Sequence, residues 1–369
     1  MTWPTVTNKL PLNNTSIVKA EQSPLKEFKN VHNDDIHALI SLGNNTFATG
    51  SKDTTIKLWD HDWQEIKTLN HPRLNKNNSY YCHWITALTL FEDGNFASGT
   101  RDGSIAIWSP KGQLQSWRQK KHLGKHVCKD RNIYRINCLQ QLPVKSKQHL
   151  FLAGLPASLS TLKWTWNNEI KEVLYTPVHK NDWVYCIKQL NEDDFFVAIG
   201  SHLQIWNKSD NDDGIIHHWK KKEDIIIEDP DDVINNQRPL IASMEYITAH
   251  QIALACFTGH VKTVDFENEV SITTSKKHEG RVWTIAKTSD IIFASGADDH
   301  KALLWDIRQK NPASLIGMHN GRVSCLLFTD DKTLVAASCP DNLNKAKERG
   351  SFTIWDLRKL HTSTEKDTP

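Results

Sequence analysis

Phe47-Ala48-Thr49-Gly50-Ser51-Lys52-Asp53, followed after Thr54-Thr55 by Ile56-Lys57-Leu58-Trp59-Asp60, is the stretch that decides the fold. It reads as a short strand, a turn carrying Asp, and a second strand whose apolar residues alternate with others. The phrase returns as Phe96-Ala97-Ser98-Gly99-Thr100-Arg101-Asp102 leading to Ile105-Ala106-Ile107-Trp108. It returns again as Phe293-Ala294-Ser295-Gly296-Ala297-Asp298-Asp299 leading to Leu303-Leu304-Trp305-Asp306. In all three the Asp precedes the Trp by six residues. Looser copies end at Trp164, Trp206, Phe266 and Trp355. A shorter phrase, apolar-x-small-apolar, precedes each copy, as in Ile36-His37-Ala38-Leu39, Ile85-Thr86-Ala87-Leu88 and Val323-Ser324-Cys325-Leu326. Seven units result, stepping by about 49 residues.

Each unit reads as four short strands with Gly, Asp and Asn turns. A lone four-stranded sheet cannot bury both faces; sheets arranged radially bury one another. The chain resembles the WD40-repeat β-propeller family. The resemblance implies an all-β, seven-bladed propeller over residues 25–358, with residues 1–24 as an N-terminal extension and 359–369 as a short polar tail. The Trp-Asp dipeptide stands at Trp59-Asp60, Trp305-Asp306 and Trp355-Asp356, and decays to Trp108-Ser109, Trp164-Thr165, Trp206-Asn207 and Phe266-Glu267 in the second to fifth units. The last unit ends on its third strand, Ser351-Phe352-Thr353-Ile354-Trp355. Leu25-Lys26-Glu27-Phe28-Lys29 is the segment expected to supply the fourth, removing a free edge and closing the ring.

Composition narrows the function classes. The 45 Lys+Arg nearly balance the 43 Asp+Glu, which argues against a globally basic nucleic-acid coat. No apolar run is long enough to span a membrane. The opening Met1-Thr2-Trp3-Pro4-Thr5 lacks the basic and apolar regions of a secretory leader. Seven Cys, an odd number, point to reduced thiols. The expected location is the cytoplasm, with the nucleus or a host cytosol as alternatives.

His, Ser/Thr and Asp recur together, as His32, Thr49 and Asp53 with Trp59, and as His278, Ser295 and Asp299 with Trp305. A hydrolase uses such residues once; here they repeat per blade. In the family resembled they form a structural network within the blade. There is no Gly-x-Ser-x-Gly elbow, phosphate loop or HExxH motif, so no catalytic residue, cofactor or metal is expected. Cys82, His83, His122, His126 and Cys128 have types that suit zinc, but their spacing fits no finger or ribbon. The basic loop 118–135 makes a nucleic-acid or phosphoinositide binder the alternative class, with nucleic acid the less favoured. Trp305-Asp306-Ile307-Arg308 and Trp355-Asp356-Leu357-Arg358 resemble the WDxR blades of substrate receptors of cullin-4-type ubiquitin ligases. That resemblance implies adaptor docking through Arg308 and Arg358.

Four insertions, His71–His83, Gln119–Ile133, Lys220–Arg238 and Pro340–Gly350, are expected on one face, termed the top; Pro143–Gln148 enlarges the other. Trp84, Arg101, Arg135, Trp183, Tyr185, Arg281, Trp283 and Arg322 flank the starts of first strands or the turns between second and third strands and would line the top mouth. Trp, Tyr and Arg dominate interface hot spots. The reading is a non-enzymatic scaffold or adaptor, a single propeller within a complex, gripping a protein or peptide partner there.

Overall fold

The computed structural model describes residues 23–43, 46–72, 83–118, 135–142, 149–156, 158–165, 169–178, 183–210, 216–227, 240–266, 271–276, 278–289, 292–308, 313–339 and 349–358. The chain is all-β. After β1 (Lys26–Phe28), the first blade holds β2 (Ile36–Gly43), β3 (Thr46–Ser51), β4 (Thr55–Trp59) and β5 (Glu65–Asn70). The second holds β6 (Ile85–Leu90), β7 (Phe96–Thr100), β8 (Ile105–Trp108) and β9 (Leu114–Arg118). The third holds β10 (Cys138–Gln141), β11 (His149–Leu155), β12 (Ser158–Trp164) and β13 (Ile170–Pro177). The fourth holds β14 (Val184–Gln189), β15 (Asp194–Ile199), β16 (His202–Asp210) and β17 (Ile216–Ile226). The fifth holds β18 (Ile241–Tyr246), β19 (Gln251–Cys256), β20 (His260–Asp265) and β21 (Ser271–Lys276). The sixth holds β22 (Val282–Ser289), β23 (Ile292–Ala297), β24 (Lys301–Asp306) and β25 (Ala313–Met318). The seventh holds β26 (Arg322–Phe328), β27 (Thr333–Cys339) and β28 (Ser351–Asp356), and β1 joins it. Each blade is a four-stranded sheet in which neighbours in sequence pair, the β-propeller fold.

The N-terminal closure agrees with the sequence reading. Lys26, Glu27 and Phe28 pair with Ile354, Thr353 and Phe352, and the Leu25 N–H donates to the Ile354 carbonyl at 2.7 Å. Phe28 stacks on Phe352 with centroids 4.9 Å apart.

Two compact units divide the chain. His37–Asp231 carries the first four blades; Met1–Ile36 with Asp232–Pro369 carries the other three. Within each unit, first strands of successive blades pack together, β6 and β14 on β10 and β18 and β26 on β22. The close approach explains the Gly of the repeat. A Cβ at Gly50 would lie 2.6 Å from Ile85, and one at Gly99 2.5 Å from Ile136, each the first core residue of the next blade.

That Gly fixes the register. Three residues before it stand Phe47, Phe96, Phe151 and Phe293. Across the second hairpin they face Trp59, Trp108, Leu162 and Trp305. Phe195 faces Trp206, Ile252 faces Val264 and Leu334 faces Trp355. The third and fifth copies therefore carry Leu162 and Val264 at the Trp position, not Trp164 and Phe266 as the spacing suggested. Trp164 lies two residues beyond that position and stacks on His149 (5.2 Å) and Phe91 (6.4 Å). Phe266 follows β20 and meets His250 edge-on at 6.4 Å. A period-2 strand tolerates such a slip by two, because both positions share a face.

A second correction concerns Lys220–Arg238. Its first part, through Ile226, is strand β17, which pairs with β16 from His202 to Asp210. Residues 73–82, 119–134, 143–148, 228–239 and 340–348, which make up most of the expected insertions, lie outside the described residues. No described helix is long and apolar enough to cross a membrane.

Candidate functional site

The repeated polar network is complete in the sixth blade. The Trp305 indole N–H donates to Ser295 Oγ at 2.7 Å, and Ser295 Oγ lies 2.7 Å from His278 Nε2. His278 Nδ1 lies 3.0 Å from the Asp299 carboxylate, which also accepts the backbone N–H groups of Glu279 and Lys301. Burial pushes the Asp299 carboxyl up, but the His278 bond and these N–H donors hold it below the usual carboxylate range. Asp299, His278 and Ser295 thus have the contacts of a hydrolytic triad without its access. Ser295 and His278 are buried, and Ser295 Oγ is occupied by indole. A serine so placed cannot reach a substrate carbonyl. We expect His278→Ala to cost about 1–3 kcal/mol of stability, by leaving Ser295 and Asp299 short of a partner. Urea denaturation checks the loss, and affinity for a bound partner should not change.

Other blades vary this scheme. Trp59 donates to Thr49 at 3.0 Å and Trp108 to Ser98 at 2.8 Å. His32 is buried, and Asp53 accepts the Thr55 N–H at 2.9 Å. His83, weighed in sequence with Cys82 as a zinc ligand, sits 3.0 Å from Asp102. Burial pushes the Asp102 carboxyl up, but the neighbouring His83 and bonds from Thr100 and Ser104 pull it down to about 2. Cys82, His122, His126 and Cys128 lie outside the described residues. No group of metal-ligating side chains forms among the described ones. In the fourth and seventh blades the indole partner moves to the third strand. Trp206 donates to Gln204 and Trp355 to Thr353.

The first strands carry a feature that sequence reasoning missed. Their ladders slip one residue in, at Ile85/Ala87, Val184/Cys186, Val282/Thr284 and Val323/Cys325. Thr86, Tyr185, Trp283 and Ser324 occupy these bulges, which re-aim a side chain. Small polar residues there latch the next blade. Thr86 donates to the Ile136 carbonyl, and Ser324 to the Ile36 carbonyl at 2.6 Å. Asn137, in the equivalent place, donates to the Val184 carbonyl at 3.0 Å. The aromatic residues do something else.

In the four-blade unit the Arg101 guanidinium lies 4.1 Å above the Trp84 ring and Lys52 Nζ 4.7 Å from it, with His37 stacked at 6.2 Å. Arg135 stands 6.0 Å from the Trp183 ring, which stacks on Tyr185 at 6.0 Å. Arg135 Nε is buried, and among the described residues it has no hydrogen-bond acceptor and Arg135 no ion-pair partner. Burial and then the charge of Arg101 lower the Arg135 pKa. Cations are crowded here and an anion would be welcome.

The three-blade unit differs. Arg281 lies 5.6 Å from the Phe257 ring, which packs on Trp283 at 4.8 Å. Trp283 donates to Asp298 at 2.6 Å, while Arg322, 5.7 Å from the Trp283 ring, pairs with Asp35 at 2.9 Å. Trp283 and Arg322 are therefore committed within the fold. Arg308 and Arg358 are exposed, and each guanidinium makes two bonds to its own Asp, Asp306 and Asp356, at 2.6–2.9 Å. Of the basic loop, Arg118 and Arg135 are described; Arg118 lies 3.5 Å from Glu172.

Similarity to known proteins agrees with this geometry. Residues 22–60 and 74–109 match the family model of the WD domain, G-beta repeat. The crystal structure of the WD40 beta propeller domain of Doa1 superposes with a TM-score of 0.63 at 14% identity, over 90% of this chain and 95% of that one. The chain thus has the β-propeller fold, and its first two blades match the WD40 repeat model. Methylosome protein WDR77 of Xenopus laevis is 24% identical over 132 residues, 34% of this chain and 38% of that protein. Protein SPA1-RELATED 4 of Arabidopsis thaliana is 27% identical over 165 residues, 32% of this chain and 19% of that protein. The chain thus matches well under half the length of these curated relatives.

Proposed function

We propose that the chain is a non-enzymatic adaptor that grips an extended acidic segment of a protein partner at the first-strand ends of the four-blade unit. The observation that carries this reading is Arg135, whose buried Nε lacks an acceptor among the described residues while Arg101 repels it from nearby. A carboxylate bridging Arg101 and Arg135 would accept charge-assisted hydrogen bonds from both. Trp84, Trp183 and Tyr185 would supply contact area at low entropy cost. Docking on a ligase adaptor through Arg308 and Arg358 is the weaker reading, because each guanidinium is already spent on its own Asp. The free thiols of Cys138, Cys186, Cys256, Cys325 and Cys339 suit a reducing compartment, cytoplasm or nucleus.

An array of short acidic peptides, with and without an aromatic residue, tests the reading. Arg101→Ala with Arg135→Ala should weaken the selected peptides by about 10-fold or more, about 1.4 kcal/mol. Lys67→Ala, on the outer strand β5, is the control. Equal binding by the double variant would refute the site. Affinity that collapses with salt for any polyanion would favour a phosphate binder instead.

A further inference from the structure

The link from the sixth blade to the seventh repeats the link before it. His319-Asn320-Gly321-Arg322-Val323 matches His278-Glu279-Gly280-Arg281-Val282, and in both a buried histidine precedes a first strand. One non-identical position separates them: Asn320 stands where the sister link has Glu279. It makes the single Asn-Gly step in the 369 residues.

Asparagine is among the thermally labile residues, and an Asn-Gly step is its most reactive setting. The glycine nitrogen, shielded by no side chain of its own, attacks the carboxamide carbon of the asparagine. Ammonia leaves and a succinimide ring forms. Water then opens the ring at either carbonyl. The products are aspartate and isoaspartate, in which the main chain runs through the former side chain. In sum, one amide and one water give one carboxylic acid and one ammonia, with no oxidant or cofactor. The reaction needs a carboxamide free to turn and a glycine N–H that no acceptor holds.

The link meets both needs. Asn320 is exposed in a bend before β26, whose ladder starts at Arg322. Among the described residues no hydrogen bond holds the Gly321 N–H. Asp-Gly steps could close the same ring by losing water, but the described ones are guarded. The Gly94 N–H donates to the Phe91 carbonyl at 3.0 Å, and the Gly103 N–H to the Thr100 carbonyl at 3.2 Å. Asp213-Gly214 lies outside the described residues.

The side-chain partner of Asn320 gives the change a consequence. Asn320 Nδ2 donates to Glu27 Oε1 at 3.2 Å. Glu27 lies on β1, the strand that closes the seventh blade, and its carboxylate is also 3.3 Å from Lys29. Either product replaces the amide donor by a carboxylate, so an attraction becomes a like-charge repulsion directed at β1.

We propose that Asn320 is a site of spontaneous deamidation, and that its conversion loosens the closing strand β1. The site is separate from Arg101 and Arg135, and the proposal does not depend on them.

The full chain, held at mildly alkaline pH and body temperature, is the test. Peptide mapping by mass spectrometry should find the acid at residue 320 ahead of every other asparagine. Asn320→Gln keeps the carboxamide but would have to close a larger ring, and should stay unconverted. Asn320→Asp supplies a product directly. It should melt about 1–2 °C below the wild type, and its amides at residues 26–28 should exchange hydrogen faster. A residue 320 that stays an amide, whatever the other asparagines do, would overturn the site. Unchanged exchange at β1 in Asn320→Asp would overturn the consequence.

Discussion

Lowering the pH from 7.5 to 5 is expected to cost the fold about 4 kcal/mol through two buried histidines. His71 and His319 are 3% and 7% exposed. Burial is the main cause that pushes each imidazole down to about 4. Each has a weak bond on one side only: His71 Nδ1 to the Pro72 carbonyl and His319 Nδ1 to Thr353 Oγ1, both at 3.2 Å. The Nε2 atoms have no partner among the described residues. Because the folded pKa is depressed, the unfolded chain takes up the protons first. Stability is full above the unfolded value of about 6.5 and drains away as pH falls through 6.5 toward 4. The fall from 6.5 to about 4 amounts to about 2 kcal/mol per histidine by pH 5 and about 3 at lower pH. Asp102 and Asp299 do not confuse the result. Their lowered pKa values keep their contribution above about 3.8, and it is lost only as pH drops further. Urea midpoints at the two pH values, for the wild type and for His71→Gln with His319→Gln, decide the matter. A double variant as acid-sensitive as the wild type would contradict the assignment.

Removing residues through Lys29 should be nearly as costly. The deletion takes β1 from β28, with the Leu25–Ile354 backbone bond and the Phe28–Phe352 stack. Phe28 is half-buried, so its packing is worth about 1 kcal/mol, and each of the few backbone bonds lost adds about 1 kcal/mol. The total is on the order of 3–4 kcal/mol. The exposed row of N–H and C=O groups on β28 would then recruit other strands. Light scattering should report aggregation of the truncated protein, and a peptide covering residues 23–30 should reverse it. A truncated chain that stays monomeric and melts like the full one would show that β1 is dispensable.

The fold was legible because its signals are local and repeated. Gly50 and Gly99 mark where one blade presses on the next, and Trp59, Trp108 and Trp305 mark the register six residues after Asp. Where the ring is lost the register was misread: Trp164 and Phe266 are aromatic and near the right spacing, and only strand pairing shows that Leu162 and Val264 hold the position. The Gln204 and Thr353 bonds were illegible for a related reason, since they lie on the Trp's own strand and not in the repeated Ser/Thr position. At the candidate site the residue types were readable, but their state was not. Arg135 and Arg322 look equivalent in sequence; Arg322 meets Asp35, 287 residues away along the chain. Nothing local separates the committed cation from the one without an ion-pair partner among the described residues.

The pairing of β1 with β28 also sets an order of events during synthesis. Phe28 leaves the ribosome before its partner Phe352, which is made 324 residues later, as the numbering of the pair gives. At about 5–20 residues per second that gap is roughly 16–65 s. For that time Leu25 and Phe28 must wait without the edge they are built to cover, while six other blades are completed. The seventh blade is thus a checkpoint on translation itself: a chain cut short anywhere before β28 can finish neither that blade nor the pairing of β1.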